Sequence, residues 1–230
     1  NKLSPNKNRV TPRIFLKTMV SKMETILTLT GILLAVLVGA MSPGPSFLLV
    51  ARTAMSGSRR NGVAAAVGMG IGAIIFAVLA LLGLKAILTS IPWLYMILKL
   101  IGGTYLVYLG IKIWRGAKEP LGVELTDTEG QKTWRRAFIT ALFTQLSNPK
   151  TTVFYGSIFA SLLPQAVPLP ITLALPICVL FVETGWYSVV AVLLSSTAPR
   201  AAYLRSKVWI DRTAGGVMGL LGIKLITSRT

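Results

Sequence analysis

The chain has 230 residues, of which 53% are hydrophobic and 13% are charged, with a mean hydropathy of +0.68. One cysteine and no histidine exclude a disulfide framework, a Cys/His metal site and a catalytic Cys–His or Ser–His pair. The formal charge of +17 comes largely from Lys and Arg in short loops between apolar runs. These are interpreted as topology signals beside anionic lipid, so no nucleic-acid partner is expected.

The N-terminal segment differs from the rest of the chain. Residues 1–22 hold six basic residues, no acidic ones and two prolines, and we predict a disordered basic tail before a single transmembrane domain at 23–230. Apolar runs of about 20 residues, the length that crosses a bilayer as a helix, then follow one another. The runs lie at about 26–50, 63–84, 92–112, 137–163, 171–196 and 213–227.

These runs predict an all-α polytopic membrane protein with about six transmembrane helices. The last is the weakest, because only residues 213–223 are free of charge, and five spans is the alternative. The loops 51–62, 112–136 and 197–212 hold thirteen basic residues, against three on the other side. This bias predicts cytoplasmic loops and, with six spans, both termini outside. The basic tail contradicts that orientation.

Two of the runs contain helix-breaking residues. Ser-Pro-Gly-Pro occupies residues 42–45 in the first run, and Ser-Asn-Pro-Lys occupies residues 147–150 in the fourth. Proline interrupts the helical hydrogen-bond ladder, and Gly44 permits close approach of a ligand. Interrupted helices at corresponding places in two halves are typical of transporter sites near mid-membrane. A simple proline kink is the alternative.

A second pair of marks supports an internal repeat. "KLIGGTYLVYLGIK" (99–112) and "DRTAGGVMGLLGIK" (211–224) share Leu-Gly-Ile-Lys letter for letter. We predict repeat 1 at about 23–113, a cytoplasmic linker at 114–136 and repeat 2 at about 137–230. A repeat of three spans is odd, so the second copy enters the membrane from the other side. The prediction is two inverted three-helix repeats with broken helices 1 and 4.

Charged residues inside the runs are candidate site residues. Glu183 is the only acidic residue in a clear span, where a carboxylate is costly unless it faces a cavity or a partner. It suits either a counter-charge for a substrate amine or a protonation site, with a structural ion pair as the alternative. Trp186 and Tyr187 share its helix face.

Two lysines within the runs have different predicted roles. Lys150, directly after the second break, could bind a substrate carboxylate, with interfacial anchoring as the alternative. Lys99 is opposite Asp211 in the repeat alignment. A structural charge pair of Lys99 with Asp211, or with Glu183, is weighed equally with snorkelling of Lys99 to the interface.

Four segments together resemble a known family: "GAMSPGPSFLLVARTAMSGSRRNGVAAAVGMGIG" (39–72), "LKLIGGTYLVYLGIKIWRG" (98–116), "QLSNPKTTVFY" (145–155) and "ETGWYS" (183–188). They are similar to the LysE/RhtB amino-acid exporters of the lysine-exporter superfamily, over about 23–227. The resemblance implies small inner-membrane carriers that export amino acids with the proton-motive force. It implies a role for both breaks in the substrate path. Family members often have aspartate where this chain has Glu183.

The expected function is therefore export of neutral amino acids, such as threonine, homoserine or leucine, across a bacterial inner membrane. An exporter of cations, metals or another small metabolite is the alternative. No enzyme activity and no cofactor are expected; the partners are the amino acid, coupling protons and lipid. The oligomeric state is open, with a homodimer as one alternative. The predicted substrate-binding residues are Ser42, Pro43, Gly44, Pro45, Asn148, Pro149, Lys150, Glu183, Trp186 and Tyr187.

Overall fold

The computed structural model describes residues 12–56, 58–90, 92–121, 133–163 and 167–227, which form eight helices and no strand. The all-α prediction is confirmed for these residues. The helices are α1 (Pro12–Met41), α2 (Pro45–Ser56), α3 (Arg59–Ser90), α4 (Pro92–Gly116), α5 (Trp134–Leu146), α6 (Pro149–Leu162), α7 (Leu169–Leu194) and α8 (Thr197–Thr227).

Four helices in the described part of the chain are long and apolar enough to cross a membrane. The qualifying stretches are Lys22–Met41, Arg59–Gly83, Met96–Gly116 and Leu169–Leu194. The outward faces carry large apolar side chains, as lipid contact requires. Four tryptophans are also exposed: Trp93, Trp114, Trp134 and Trp209.

Helices end at both predicted breaks. α1 stops at Met41 and α2 starts at Pro45; α5 stops at Leu146 and α6 starts at Pro149. Proline is favoured at the first helical position because its missing N–H would have no partner there, and its φ suits the helix. Asn148 is the N-cap of α6, and its Oδ1 accepts a hydrogen bond from the Lys150 backbone N–H at 3.0 Å.

Three predicted boundaries require correction. The tail predicted as disordered at 1–22 is helical from Pro12 onward, because residues 13–22 contain no Gly or Pro and continue into α1; residues 1–11 lie outside the described residues. The loop predicted at 197–212 is the first half of α8, since only Pro199, close to the helix start, interrupts it. The linker predicted at 114–136 begins after Gly116, and its residues 122–132 lie outside the described residues.

Glycines bring the longest helices into close contact. α4 and α8 pack antiparallel: a Cβ added at Gly103 would lie 2.9 Å from the Gly222 carbonyl oxygen, and one added at Gly110 would lie 2.6 Å from that of Gly215. α3 packs against α7 in the same way, where a Cβ at Gly70 would lie 3.1 Å from the Leu180 carbonyl oxygen. No side chain fits at these points, so the helix backbones meet directly. The two broken segments lie against this frame.

Candidate functional site

A small cavity lies where the two breaks meet. Its walls come from the end of α1, the starts of α2 and α6, the last turn of α5 and the middle of α7. The open space is about 20 Å³, which is room for about one water molecule. Six predicted site residues line it: Ser42, Gly44, Asn148, Lys150, Glu183 and Tyr187.

Lys150 connects the second break to the first. Its Nζ donates to the Ser42 carbonyl oxygen and to Ser42 Oγ, both at 2.9 Å, and to the Gly39 carbonyl oxygen at 3.5 Å. The last carbonyls of a helix have no intrahelical donor, and the helix dipole favours a cation there. The Lys150 ammonium therefore caps the C-terminal end of α1 from a different part of the chain.

A chain of buried polar side chains joins the two breaks a second time. Asn148 Nδ2 donates to Ser46 Oγ at 2.9 Å, and Ser46 Oγ donates to Gln145 Oε1. All three side chains are buried. Because a buried amide or hydroxyl without a partner is costly, this network fixes the first turn of α2 against the end of α5 and the start of α6.

Glu183 faces the same cavity from α7. The residue is 3% exposed, and its Oε1 accepts a hydrogen bond from the Tyr155 hydroxyl at 3.0 Å. Its second oxygen, Oε2, is buried and has no hydrogen-bond partner among the described residues. A buried carboxylate with one satisfied oxygen is a strong acceptor for a cationic or protonated group that enters the cavity.

Trp186 acts beside the cavity rather than in its wall. Its indole Nε1 donates to the Ala40 carbonyl oxygen at 3.2 Å, so it supports the end of α1. Tyr187, the next residue, does line the cavity and is buried. The two residues are predicted to share a helix face. The Tyr187 ring forms part of the cavity wall, and the Trp186 ring contacts the backbone of α1.

A larger vestibule adjoins the small cavity. It has a volume of about 800 Å³ and is lined by the C-terminal half of α4, the starts of α2 and α6 and the first half of α8. The predicted residues Pro43, Pro45 and Pro149 line it. Gly44, Asn148 and Lys150 line both spaces and therefore form the boundary between them.

The predicted Lys99–Asp211 pair is wrong. Asp211 pairs instead with Lys207, one turn earlier on α8, at 2.6 Å. Since α4 and α8 run antiparallel with Gly103 against Gly222, Lys99 lies beside the C-terminal end of α8, far from Asp211. The alignment of the two repeats identifies residues 99 and 211 as equivalent positions. In an antiparallel helix pair, equivalent positions of the two helices do not contact each other.

Three further site residues were missed by sequence reasoning: Ser46, Gln145 and Tyr155. Each lies within six residues of a break, and Ser46 and Gln145 are polar residues in apolar runs, which is a signal that could have found them. Tyr155 follows Thr151 at i+4, so both lie on the face of α6 that lines the cavity.

Comparison with known proteins decides the family. The family description "LysE type translocator" matches residues 37–229. The chain belongs to this family. It is 34% identical to the threonine efflux proteins of Escherichia coli K12 and Salmonella typhi, over 84% of this chain and 94% of theirs. It is 33% identical to an uncharacterized membrane protein of Haemophilus influenzae, over 83% of this chain and 91% of that protein.

No solved structure matches the chain. Family membership establishes that this LysE type translocator is a multi-pass membrane transporter and not an enzyme. Among the residues that the structure describes, no three His, Cys, Asp or Glu side chains group together as metal ligands would.

Proposed function

We propose that this translocator exports neutral amino acids, such as threonine, homoserine or leucine, across the bacterial inner membrane. One observation carries the proposal: Lys150 and Glu183, of opposite charge, face a single buried cavity at the junction of two broken helices. An α-amino acid carries one carboxylate and one ammonium, which is the complementary charge pattern. The similarity to proteins named for threonine efflux supports the same substrate class.

Because the small cavity has room for about one water molecule in this structure, the substrate binds when the cavity widens toward the vestibule, with its carboxylate beside Lys150 and the starts of α2 and α6. Backbone N–H groups in the first turn of a helix lack intrahelical partners, and the helix dipole makes that end positive. Ser46 and Thr151 each lie in the first turn of one of these helices and line the cavity. The ammonium binds to Glu183 Oε2, whose companion oxygen is held by Tyr155.

Glu183 also carries the coupling proton. A carboxylate buried at this depth is stable only when it is protonated or paired with a cation. Ammonium and proton therefore compete for the same oxygen, so that binding of one releases the other. This exclusion makes outward movement of the amino acid dependent on inward movement of a proton.

The architecture we propose is two inverted three-helix repeats with six spans, in which α1–α2 and α5–α6 are the broken helices. Reciprocal glycine contacts support it. The repeat pairs Gly103 with Gly215 and Gly110 with Gly222, and in space Gly103 contacts Gly222 while Gly110 contacts Gly215. A two-fold axis between α4 and α8 exchanges these two contacts with each other.

The vestibule opens toward the cytoplasm in this proposal. It is bordered by Gly116 and residues 119–121, which lie in the linker at 114–136, where Lys and Arg recur. Basic loops stay on the cytoplasmic side, and this bias puts both termini outside. The small cavity at the breaks is then reached from the cytoplasm past Lys150, as an exporter requires for loading.

Amino-acid efflux from bacteria that lack their own exporters tests the function. We would express the full chain, load the cells with dipeptides and measure released amino acids with and without an uncoupler. Glu183→Gln is the test variant, and Glu24→Gln, at an exposed acid of α1, is its control.

We expect uncoupler-sensitive efflux of one or a few neutral amino acids, which Glu183→Gln abolishes and Glu24→Gln leaves intact. Efflux no faster than in cells with the empty vector would reject amino-acid export, and cation or other metabolite export would be tested next. Efflux that the uncoupler does not change would reject proton coupling alone.

A further inference from the structure

A second buried acid lies on the vestibule side of Lys150. Asp211 on α8 is 1% exposed and pairs with Lys207 through Oδ2 at 2.6 Å. Lys207 Nζ also donates to the Ala117 carbonyl oxygen, just beyond the end of α4, at 3.2 Å. Asp211 Oδ1 is buried and has no hydrogen-bond partner in the described segments.

Lys150 has one acid on each side. Glu183 lines the small cavity, Asp211 lines the vestibule, and Lys150 lines both. Each acid has one oxygen engaged, by Tyr155 or by Lys207, and a second, buried oxygen with no partner among the described residues. The two sites thus have the same chemical design around one shared cation.

We propose that Asp211 is a second ammonium-binding position, in the vestibule, from which the amino acid passes to Glu183 while its carboxylate stays beside Lys150. The inference rests on the proposed function and adds a place on the path that the small cavity does not supply. Its ligand is a free α-amino acid, in which the ammonium and the carboxylate are attached to the same carbon.

The physical reason for two positions is the cost of moving an ammonium out of water. An ion that leaves the aqueous vestibule without a partner loses its hydration with nothing in return. A carboxylate at the vestibule wall replaces some of the water molecules around the ammonium before the ammonium reaches Glu183. Lys207 donates to Oδ2 of Asp211 and fixes it, which leaves Oδ1 to bind the substrate.

Exchange of labelled threonine in proteoliposomes tests the inference. We would measure the half-saturation and maximal rate, and competition by threonine and by its analogue with hydroxyl in place of the amino group. The test variant is Asp211→Asn, which keeps the shape and the acceptor for Lys207. The control is Glu119→Gln, which removes the same charge from an exposed acid of the same vestibule.

In Asp211→Asn we expect a half-saturation about tenfold higher, a maximal rate within about twofold of wild type, and a preference for threonine over the analogue about tenfold weaker. Glu119→Gln should leave all three unchanged. An unchanged preference, or an equal loss of affinity for both compounds, overturns the inference and leaves Asp211 a structural residue.

Two further outcomes are also decisive. Failure of the wild-type protein to exchange any amino acid overturns the proposed function together with this inference, whereas exchange that Asp211→Asn does not alter overturns only the inference. If Asp211→Asn does not reach the membrane, Asp211→Glu decides. A retained preference with a half-saturation changed by more than about threefold supports the site, and wild-type values for both overturn it.

Discussion

The two helix breaks occupy matching places in the sequence but are stabilised differently. The first, at residues 42–44, has glycine at the position before α2, and the carbonyls at the end of α1 receive hydrogen bonds from Lys150 and Trp186 of the second half. The second break is capped locally by Asn148, and backbone N–H groups of residues 147 and 148 bond to the last turn of α5.

This difference assigns different roles to the two halves. The first break supplies backbone groups, and the second supplies the side chains that hold them. Lys150 therefore has two tasks: it caps α1, and it is the cation of the cavity. A substrate carboxylate that draws Lys150 away also removes the cap from α1. With Lys150 binding substrate as proposed, we expect substrate binding to be coupled to the conformation of the first break.

The largest effect should come from removing the shared cation. Lys150→Met removes the side-chain donor to the carbonyls of Gly39 and Ser42 and the positive charge of the cavity, so we expect efflux to fall by about a hundredfold or more. Lys150→Arg keeps the charge and should retain a measurable part of the activity. More than a tenth of wild-type efflux in Lys150→Met would show that the two breaks do not depend on this contact.

A substitution at Gly44 should disturb the contact of Lys150 with α1 less severely. A Cβ there would lie 3.2 Å from Lys150 Nζ and 3.3 Å from its Cδ, so Gly44→Ala should displace the side chain and reduce efflux by about tenfold. The φ of Gly44 is not positive, so crowding rather than backbone strain is the cause.

The matched control for this change is Gly156→Ala, on α6, where a Cβ would meet nothing within 4 Å. It should leave efflux unchanged and raise stability by up to about 1 kcal/mol, because alanine is the better helix former. Equal effects of the two substitutions would contradict the role given to Gly44.

Loss of the local cap should affect stability more than transport. Asn148→Ala removes the cap of α6 and the bond to Ser46, at about 1 kcal/mol for the cap alone. Asn148→Asp keeps the capping oxygen but not the donor, so its thermal unfolding in detergent should lie between those of Asn148→Ala and the wild type. Identical unfolding temperatures for the two variants would show that the cap contributes nothing.

The smallest effect is expected at Trp186. Trp186→Phe loses the hydrogen bond to the Ala40 carbonyl oxygen but keeps the aromatic ring, so stability should fall by about 1 kcal/mol and efflux by a few fold. Trp209→Phe, at an exposed ring, is the control. A larger loss than in Gly44→Ala would mean that Trp186, not Lys150, chiefly supports α1.

The sequence predicts correctly the features that depend on neighbouring residues in the chain. The prolines located both helix ends, and the rarity of charge in apolar runs singled out Lys150 and Glu183. Packing register was not readable, and this is why Lys99 was paired with Asp211. The pair Lys207–Asp211 has the i,i+4 spacing of a helix, but it was missed because residues 197–212 were predicted to be a loop.

The tryptophans at the two ends of α4 have the spacing expected of the two membrane–water boundaries. Trp93 and Trp114 are exposed and 21 residues apart, which is about 31 Å along a helix, and the hydrocarbon layer is about 30 Å thick. Indole rings collect at the two membrane–water boundaries. Taking Trp134 as the boundary for α5 puts the break after Leu146 12 residues further along the chain, about 18 Å from that boundary. Lipid at that depth cannot hydrate an opened helix, so any group that replaces Lys150 at the end of α1 must come from the vestibule, which Lys150 itself lines.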